Sequence, residues 1–383
     1  MPVWLGLLIG IALVVLTWTT IGFTVVVPRA LRGPGRLSVW VSRATRWSFF
    51  RVSRLARTYE AKDAVLASIG AVALLAQLLV WLFLIGAAYV VMLVPYTHDL
   101  GAAVSQVGAA MFTLGAARSA SATNDTITTF AAASGLIVIA LQIAYLPALY
   151  AAFNRREALI TMLASRAGEP SWGPEILIRH QLVGIVDSLP EFYDRWEQWA
   201  AEVSESHTTY PVLLLFRSPD PWSSWIVALL SVLDAAAMQV ALNPTTAPSQ
   251  ARLSLRMGYT ALQRISDGVG WEFDRDPMPD SALQLTQDEF AAAVALLHEV
   301  GFTTERTAEE AWPHFRGWRV NYESLAYRWA DRVLAPPAPW SGPRTGLTEQ
   351  NVRPRRPAHR TPDKPAGYER PDFDRPIPPR AAS

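Results

Sequence analysis

The sequence contains no cysteine, which excludes disulfide staples, thiolate nucleophiles and cysteine-ligated metals. Its histidines, at positions 98, 180, 207, 298, 314 and 359, are scattered without the spacing of a metal site. Neither a phosphate-cradling glycine loop nor a serine nucleophile elbow occurs. No enzymatic activity, metal or cofactor is therefore expected. Charge is also scarce, with 17% Asp, Glu, Lys and Arg against 51% apolar residues and a formal net charge of +1. A chain so balanced carries no general basic field, and no nucleic-acid partner is expected.

The scarcity of charge is local. Asp, Glu, Lys, Arg and His are all absent from Pro2 to Val27, from Ala64 to Thr97 and from Thr126 to Asn154. Each run exceeds the roughly 20 apolar residues that a helix needs to cross about 30 Å of hydrocarbon. Three transmembrane helices are expected. A cleaved signal peptide is the weaker reading of the first run. No basic residue precedes it, it is longer than a signal core, and Pro28-Arg29-Ala30-Leu31-Arg32 follows in place of a cleavage site.

Charge placement gives the expected orientation. Arg29, Arg32, Arg36, Arg43, Arg46, Arg51, Arg54, Arg57 and Lys62 lie between the first two runs, against only Glu60 and Asp63. Basic loops stay in the cytoplasm. The loop between the second and third runs is nearly neutral, and Arg155, Arg156 and Arg166 follow the third. The expected topology is a multi-pass protein of the plasma (inner) membrane, with the N-terminus outside and everything after the third span inside.

Residues 29–63 read as a basic amphipathic segment. Helical spacing puts Arg43, Arg46, Arg54 and Arg57 on one side and Leu37, Val41, Val52 and Leu55 on the other, with Trp40, Trp47 and Phe50 bordering the arginines. Such a helix would lie on the anionic inner leaflet of the lipid bilayer. The alternative is a solvated loop that only fixes topology.

Residues 155–334 read as an α-helical cytosolic domain and a possible surface for a cytosolic protein partner. Capping boxes are expected at Ser188 with Glu191, Thr286 with Glu289, and Thr307 with Glu310. Phe192, Trp196 and Trp199 recur at helical spacing and predict a packed core stripe. Helices are expected at 156–167, 174–185, 222–241, 249–267, 287–300 and 308–334. The acidic loop Asp267, Glu272, Asp274, Asp276 and Asp280 lacks the register and glycine of a calcium loop. Glu205, His207, Tyr210 and Arg217 cluster in sequence, but the residues of a capped helix end fit them better than a general base. From Ala335 the composition turns to proline and arginine, and residues 335–383 read as a disordered tail.

Between the second and third runs, Leu100 to Leu114 is apolar but too short to span the membrane. It runs into Gly115 and a non-helical stretch. Short apolar pieces between spans read as re-entrant, and non-helical backbone at membrane depth requires a protein or water-lined setting. The segment Phe112-Thr113-Leu114-Gly115 resembles the filter region of the two-helix potassium-channel-like ion channel family, which carries Thr-x-Gly-(Tyr/Phe)-Gly-Asp. The stretches Phe153 to Glu157 and Leu163 to Gly168 are similar to the membrane-proximal part of a bacterial, actinobacterial-type branch of that family.

The resemblance implies an all-α membrane protein with a re-entrant pore helix between the second and third spans. In that scheme residues 1–28 form the first span, 64–154 the pore module, and four copies surround one axis. Thr113, Leu114, Gly115, Ala116, Ala117 and Arg118 would occupy the filter, Gly135 the inner-helix hinge, and Gln142 and Tyr145 the cavity wall. Gly135 also sits in the small-residue run 131–135, where packing is the alternative. Ala117 replaces the second glycine, and Arg118 replaces the acidic residue at the mouth, so altered or lost potassium selectivity is expected. The other expectation is a non-conducting membrane anchor for the helical domain.

Overall fold

The computed structural model describes residues 2–26, 37–112 and 121–344, and among them every regular element is helical. The chain forms two units. One comprises residues 1–55 and 68–152, the other 56–67 and the chain from 153 onward.

In the first unit, α1 (Val3–Ile21) continues into a π-helical turn (Gly22–Val26). It packs along α4 (Ile69–Thr97). Gly10 permits this approach, since a Cβ there would lie 2.8 Å from the Ala88 carbonyl oxygen. Where lipid removes the hydrophobic drive between helices, close backbone packing of this kind supplies the attraction. α2 (Leu37–Ser53) also lies against α4.

α4 ends at His98, whose left-handed backbone (φ 56°) reverses the chain. Asp99 then caps α5 (Leu100–Met111), accepting the Ala102 amide at 2.7 Å. α6 (Ala122–Ala167) is one long helix whose first part belongs to this unit. Ala103, Val107 and Met111 of α5 share one core with Trp81, Ile85 and Tyr89 of α4 and with Ile127, Ala131 and Val138 of α6. Tyr89 and Ser134 join α4 to α6 through a 2.8 Å hydrogen bond between hydroxyls.

The second unit adds α3 (Tyr59–Leu66), α7 (Gly173–Val183), α8 (Leu189–Thr209), α9 (Trp225–Leu242), α10 (Ser249–Gly268), α11 (Gln287–Glu299), α12 (Ala308–Arg319) and α13 (Glu323–Arg332). Every residue of α9 is buried, under α7, α8, α10, α12 and α13. A helix apolar on all sides belongs in a core or a membrane. Among the described residues four helical stretches are long and apolar enough to cross a membrane: Val3–Val25, Tyr59–Thr97, Ala122–Ala167 and Trp225–Leu242. The fourth is α9, which its protein neighbours already enclose.

Several helix boundaries differ from expectation. Thr286 and Thr307 form their capping boxes. Ser188 does not, because it sits in an αR turn (φ −86°, ψ −3°) and its hydroxyl donates to the Ile185 carbonyl. Its intended partner Glu191 pairs with Arg195. The helix expected over 308–334 breaks into α12 and α13, since Asn321 Nδ2 donates to the Gly317 and Trp318 carbonyls at 3.1 Å each and takes up the end of α12.

Residues 335–344, expected to belong to a disordered tail, are packed instead. Ala335 and Trp340 are buried, and Trp340 meets Trp172 edge-on with ring centroids 5.6 Å apart. Arg344 donates to the Ala335 and Ser341 carbonyls. One tryptophan and one arginine hold this proline-rich segment down, and average composition conceals them. Residues 345–383 lie outside the described residues.

Candidate functional site

The sequence placed its main site between α4 and α6. Thr113, Leu114, Gly115, Ala116, Ala117 and Arg118 lie outside the described residues. The residues on either side fix where that stretch begins and ends. Met111, at the end of α5, reaches Gly86 of α4, where its sulfur would be 3.4 Å from a Cβ. It also reaches Gly135 of α6, where a Cβ would lie 2.7 Å from the Met111 carbonyl oxygen.

Counting about 1.5 Å per residue, Gly86 lies about 16 Å along α4 from its end at Thr97, and Gly135 about 20 Å along α6 from its start at Ala122. α5 therefore begins level with the α4–α5 turn and ends far down the same pair of helices. Midway along α5, Gln106 donates to Asn124 in the first turn of α6 at 2.7 Å.

Gly135 thus serves close packing of α5 on α6. Gln142 and Tyr145, expected on a cavity wall, are instead buried, at 6% and 9% exposure. They fall on the α6 stripe that carries Ala131, Ser134, Val138, Leu149 and Ala152. The register responsible is the ordinary 3.6-residue turn, which puts 138, 142, 145 and 149 on one face. The exposed face of α6 is apolar, with Phe130, Leu136, Ile137 and Ile143.

The basic helix is arranged differently from its expectation. Its outward face alternates Trp40, Arg43, Trp47 and Arg51, with the guanidinium of Arg43 5.0 Å from the Trp40 ring and that of Arg51 4.9 Å from the Trp47 ring. Arg46 is only partly exposed, and Arg54 and Arg57 are exposed beyond the end of α2 at Ser53. Val52 and Leu55, expected on the apolar side opposite the arginines, are exposed. The cause is that helix α2 stops before Arg54, so the periodicity does not carry through to Arg57.

In the second unit the sequence cluster Glu205, His207, Tyr210 and Arg217 does not form a site. His207 is buried and donates through Nδ1 to the Val203 carbonyl at 2.9 Å, while its Nε2 accepts from Arg156 at 3.0 Å. Burial first, and Arg156 second, hold its pKa well below the ordinary imidazole value. Glu205 is exposed. Arg217 turns to another element altogether: it pairs with Asp63 of α3 and donates to Tyr59 Oη at 2.8 Å and to the Leu334 carbonyl at 3.0 Å. The acidic loop closes on itself through Arg275 and Asp267. Among the described residues no group of three or more His, Asp or Glu is placed to hold a metal ion.

The densest polar cluster escaped the sequence reading. Arg319, wholly buried, pairs with Asp234 of α9 and with Glu323 of α13, and donates to Tyr327 Oη and the Trp340 carbonyl. Tyr322 donates to Asp234 at 2.9 Å. Burial pushes the Asp234 carboxyl up to about 6, against the pull of Arg319 and Tyr322. No partner in this cluster is left free to act on a substrate, and its role is to tie α9, α12, α13 and the 335–344 segment together. Only the i, i+4 pair Arg319 and Glu323 was available in the sequence as a signal.

A shallow groove, open to solvent, lies on this unit. Leu159, Met162 and Leu163 of α6 and Phe192 and Trp196 of α8 form its floor, with Arg166, Ser188, Glu191 and Arg195 around them. No family model, no curated protein and no solved structure matches this chain.

Proposed function

We propose that the chain is an integral membrane protein with a channel-like module, in which α1, α4 and the first part of α6 cross the bilayer and α5 is a re-entrant helix. The observation that carries this is the depth of α5. Met111 meets α4 about 16 Å and α6 about 20 Å from the turn side, and if both helices span a hydrocarbon layer of about 30 Å that contact would lie roughly halfway through it. From Phe112 to Ser121 the chain has a reach of about 30 Å, enough to return to the side it left. A re-entrant helix next to two spans is the layout of a pore loop, and in sequence Thr113 to Arg118 follow it as a filter would.

The resemblance to the potassium-channel-like family extends the reading to four copies around one axis, in the inner membrane of a bacterium, with the second unit in the cytoplasm. The altered residues Ala116, Ala117 and Arg118 speak against potassium selectivity. Flux from liposomes loaded with potassium, sodium or chloride tests the proposal. Passage of at least one ion, changed in selectivity by Arg118→Asp, is the expected outcome.

A specific observation favours a second reading, that of a non-conducting anchor. Gln142 and Tyr145 are buried, and the exposed face of α6 offers mainly apolar side chains. Absence of flux for all three ions, in liposomes shown to contain folded protein, would select the anchor and reject transport.

A further inference from the structure

The groove between α6 and α8 has a charge that nothing nearby cancels. Glu191 and Arg195, at its mouth, pair with each other at 2.5 Å. Arg166 has no carboxylate within ion-pair distance among the described residues: its guanidinium lies 5.8 Å from the Phe192 ring and donates at 3.1 Å to Nε2 of His180. That imidazole is an acceptor there because its Nδ1 donates to the Ile176 carbonyl at 2.6 Å. Burial lowers its pKa further, and the adjacent Arg166 works in the same direction, so it brings no second cation and no counter-ion. The groove thus presents an aromatic and aliphatic floor with one uncompensated positive charge. Its complement is an apolar side chain next to carboxylates.

The chain itself supplies that chemistry. Beyond Arg344 the sequence holds two aromatic residues, Tyr368 and Phe373, and each stands beside acid: Tyr368 before Glu369, and Phe373 between Asp372 and Asp374. Elsewhere the same stretch is dominated by proline, arginine and small polar residues. About thirty residues separate Arg344 from Phe373, an extended reach of about 95 Å. The second unit, at about 200 described residues, has a radius of gyration near 17 Å, so any point on its surface is within that reach.

We propose that this groove is the docking site of the chain's own segment 368–374, with Phe373 on the floor of Leu163, Phe192 and Trp196 and the flanking aspartates on Arg166. Within 368–374 Glu369, Asp372 and Asp374 outnumber Arg370, and this net negative charge selects the segment over the arginine-rich parts of the tail, which Arg166 repels. Docking would place the C-terminal segment on the stretch of α6 that directly follows the last apolar run. It does not depend on whether the first unit conducts.

The test exploits the absence of cysteine. Met162→Cys puts one thiol at the groove, at a residue already 47% exposed, and its rate of modification by a soluble maleimide is measured in the full-length protein. The comparison is a triple variant, Asp372→Lys, Phe373→Ala and Asp374→Lys, whose changes lie outside the described residues. A tether presents the segment at about 1 mM, so a site with Kd of about 100 μM is nine-tenths filled and the triple variant reacts about tenfold faster. A synthetic peptide of residues 366–377 should slow the triple variant again, and the same peptide with Phe373→Ala should not. Met278→Cys, exposed at 67% and far from the groove in sequence, should react equally in both backgrounds. Equal rates at Met162→Cys with and without the triple change would overturn the proposal. So would a protection that falls on dilution, since it would assign the segment to a second copy.

Discussion

The carbonyl of Met111 occupies the place where a side chain on Gly135 would begin, 2.7 Å from an ideal Cβ. The end of α5 and the middle of α6 therefore touch backbone to backbone. This contact fixes how deep α5 goes, and the consequences of disturbing it can be stated.

Gly135→Ala should destabilise the protein by about 1–3 kcal/mol through overpacking, because the atom in the way is backbone and cannot swing aside. Gly108→Ala, also in a helix but with open space at its Cβ, should be neutral or slightly stabilising. Thermal unfolding of the two variants in detergent separates them. Equal effects would show that the α5–α6 contact is not tight.

Breaking the Arg319 cluster should cost more than any surface change. Arg319→Met leaves the Asp234 carboxylate buried beside Glu323 without a cation, an effect of about 3–5 kcal/mol. Pairing it with Asp234→Asn should recover part of that loss, since Asn leaves no charge to strand at that position. Denaturant titration of the single and double variants gives the coupling. Strict additivity would mean that the pair does not act as a unit.

The pH dependence of the second unit follows from its buried imidazoles. His207 and His180 have folded pKa values depressed by burial below the ordinary value of 6.5. The unfolded chain therefore binds protons first as pH falls below about 6.5, and each histidine removes about 1.4 kcal/mol of stability per pH unit until its folded form titrates. Asp234 acts in the opposite sense, because its carboxyl is raised to about 6 and the folded state takes its proton first. The slope between pH 6.5 and 5.5 should flatten in His207→Gln, which isolates one contribution. An unchanged slope would mean that His207 is protonated in the fold.

Arg217 holds α3 to the body of the second unit through Asp63, Tyr59 and the Leu334 carbonyl. Arg217→Ala strands a nearly buried Asp63 and removes several charge-assisted hydrogen bonds, each worth about 1.5–3 kcal/mol. Hydrogen exchange should accelerate in Tyr59–Leu66 while Trp225–Leu242 keeps its protection. Uniform acceleration would make Arg217 a determinant of the whole unit.

What the sequence revealed, and what it hid, divides by the range of the interactions. Apolar run length located α1, α4 and α6, and local capping chemistry located α11 and α12. The stripe of Phe192, Trp196 and Trp199 was legible because helical periodicity is local. The helix over 222–241 was legible as part of the helical domain, but its complete enclosure was not, since contacts such as Arg319 to Asp234 join residues remote in sequence. Nor was the inward turn of Gln142 and Tyr145: polarity suggested a cavity, whereas helix register places them on the packed stripe. The hold of Trp340 and Arg344 on a proline-rich segment depends on partners such as Trp172 and Arg319, remote or hidden in sequence.

The central claim is that α5 enters and leaves the bilayer on one side. Single cysteines at His98, Ser121 and Thr58 in the cysteine-free chain, probed in sealed vesicles of known orientation with a membrane-impermeant thiol reagent, test it directly. His98→Cys and Ser121→Cys should react from the same face, and Thr58→Cys only from the other. Reaction of positions 98 and 121 from opposite faces would make α5 and its following loop a crossing, and would contradict the re-entrant reading on which the channel-like proposal rests.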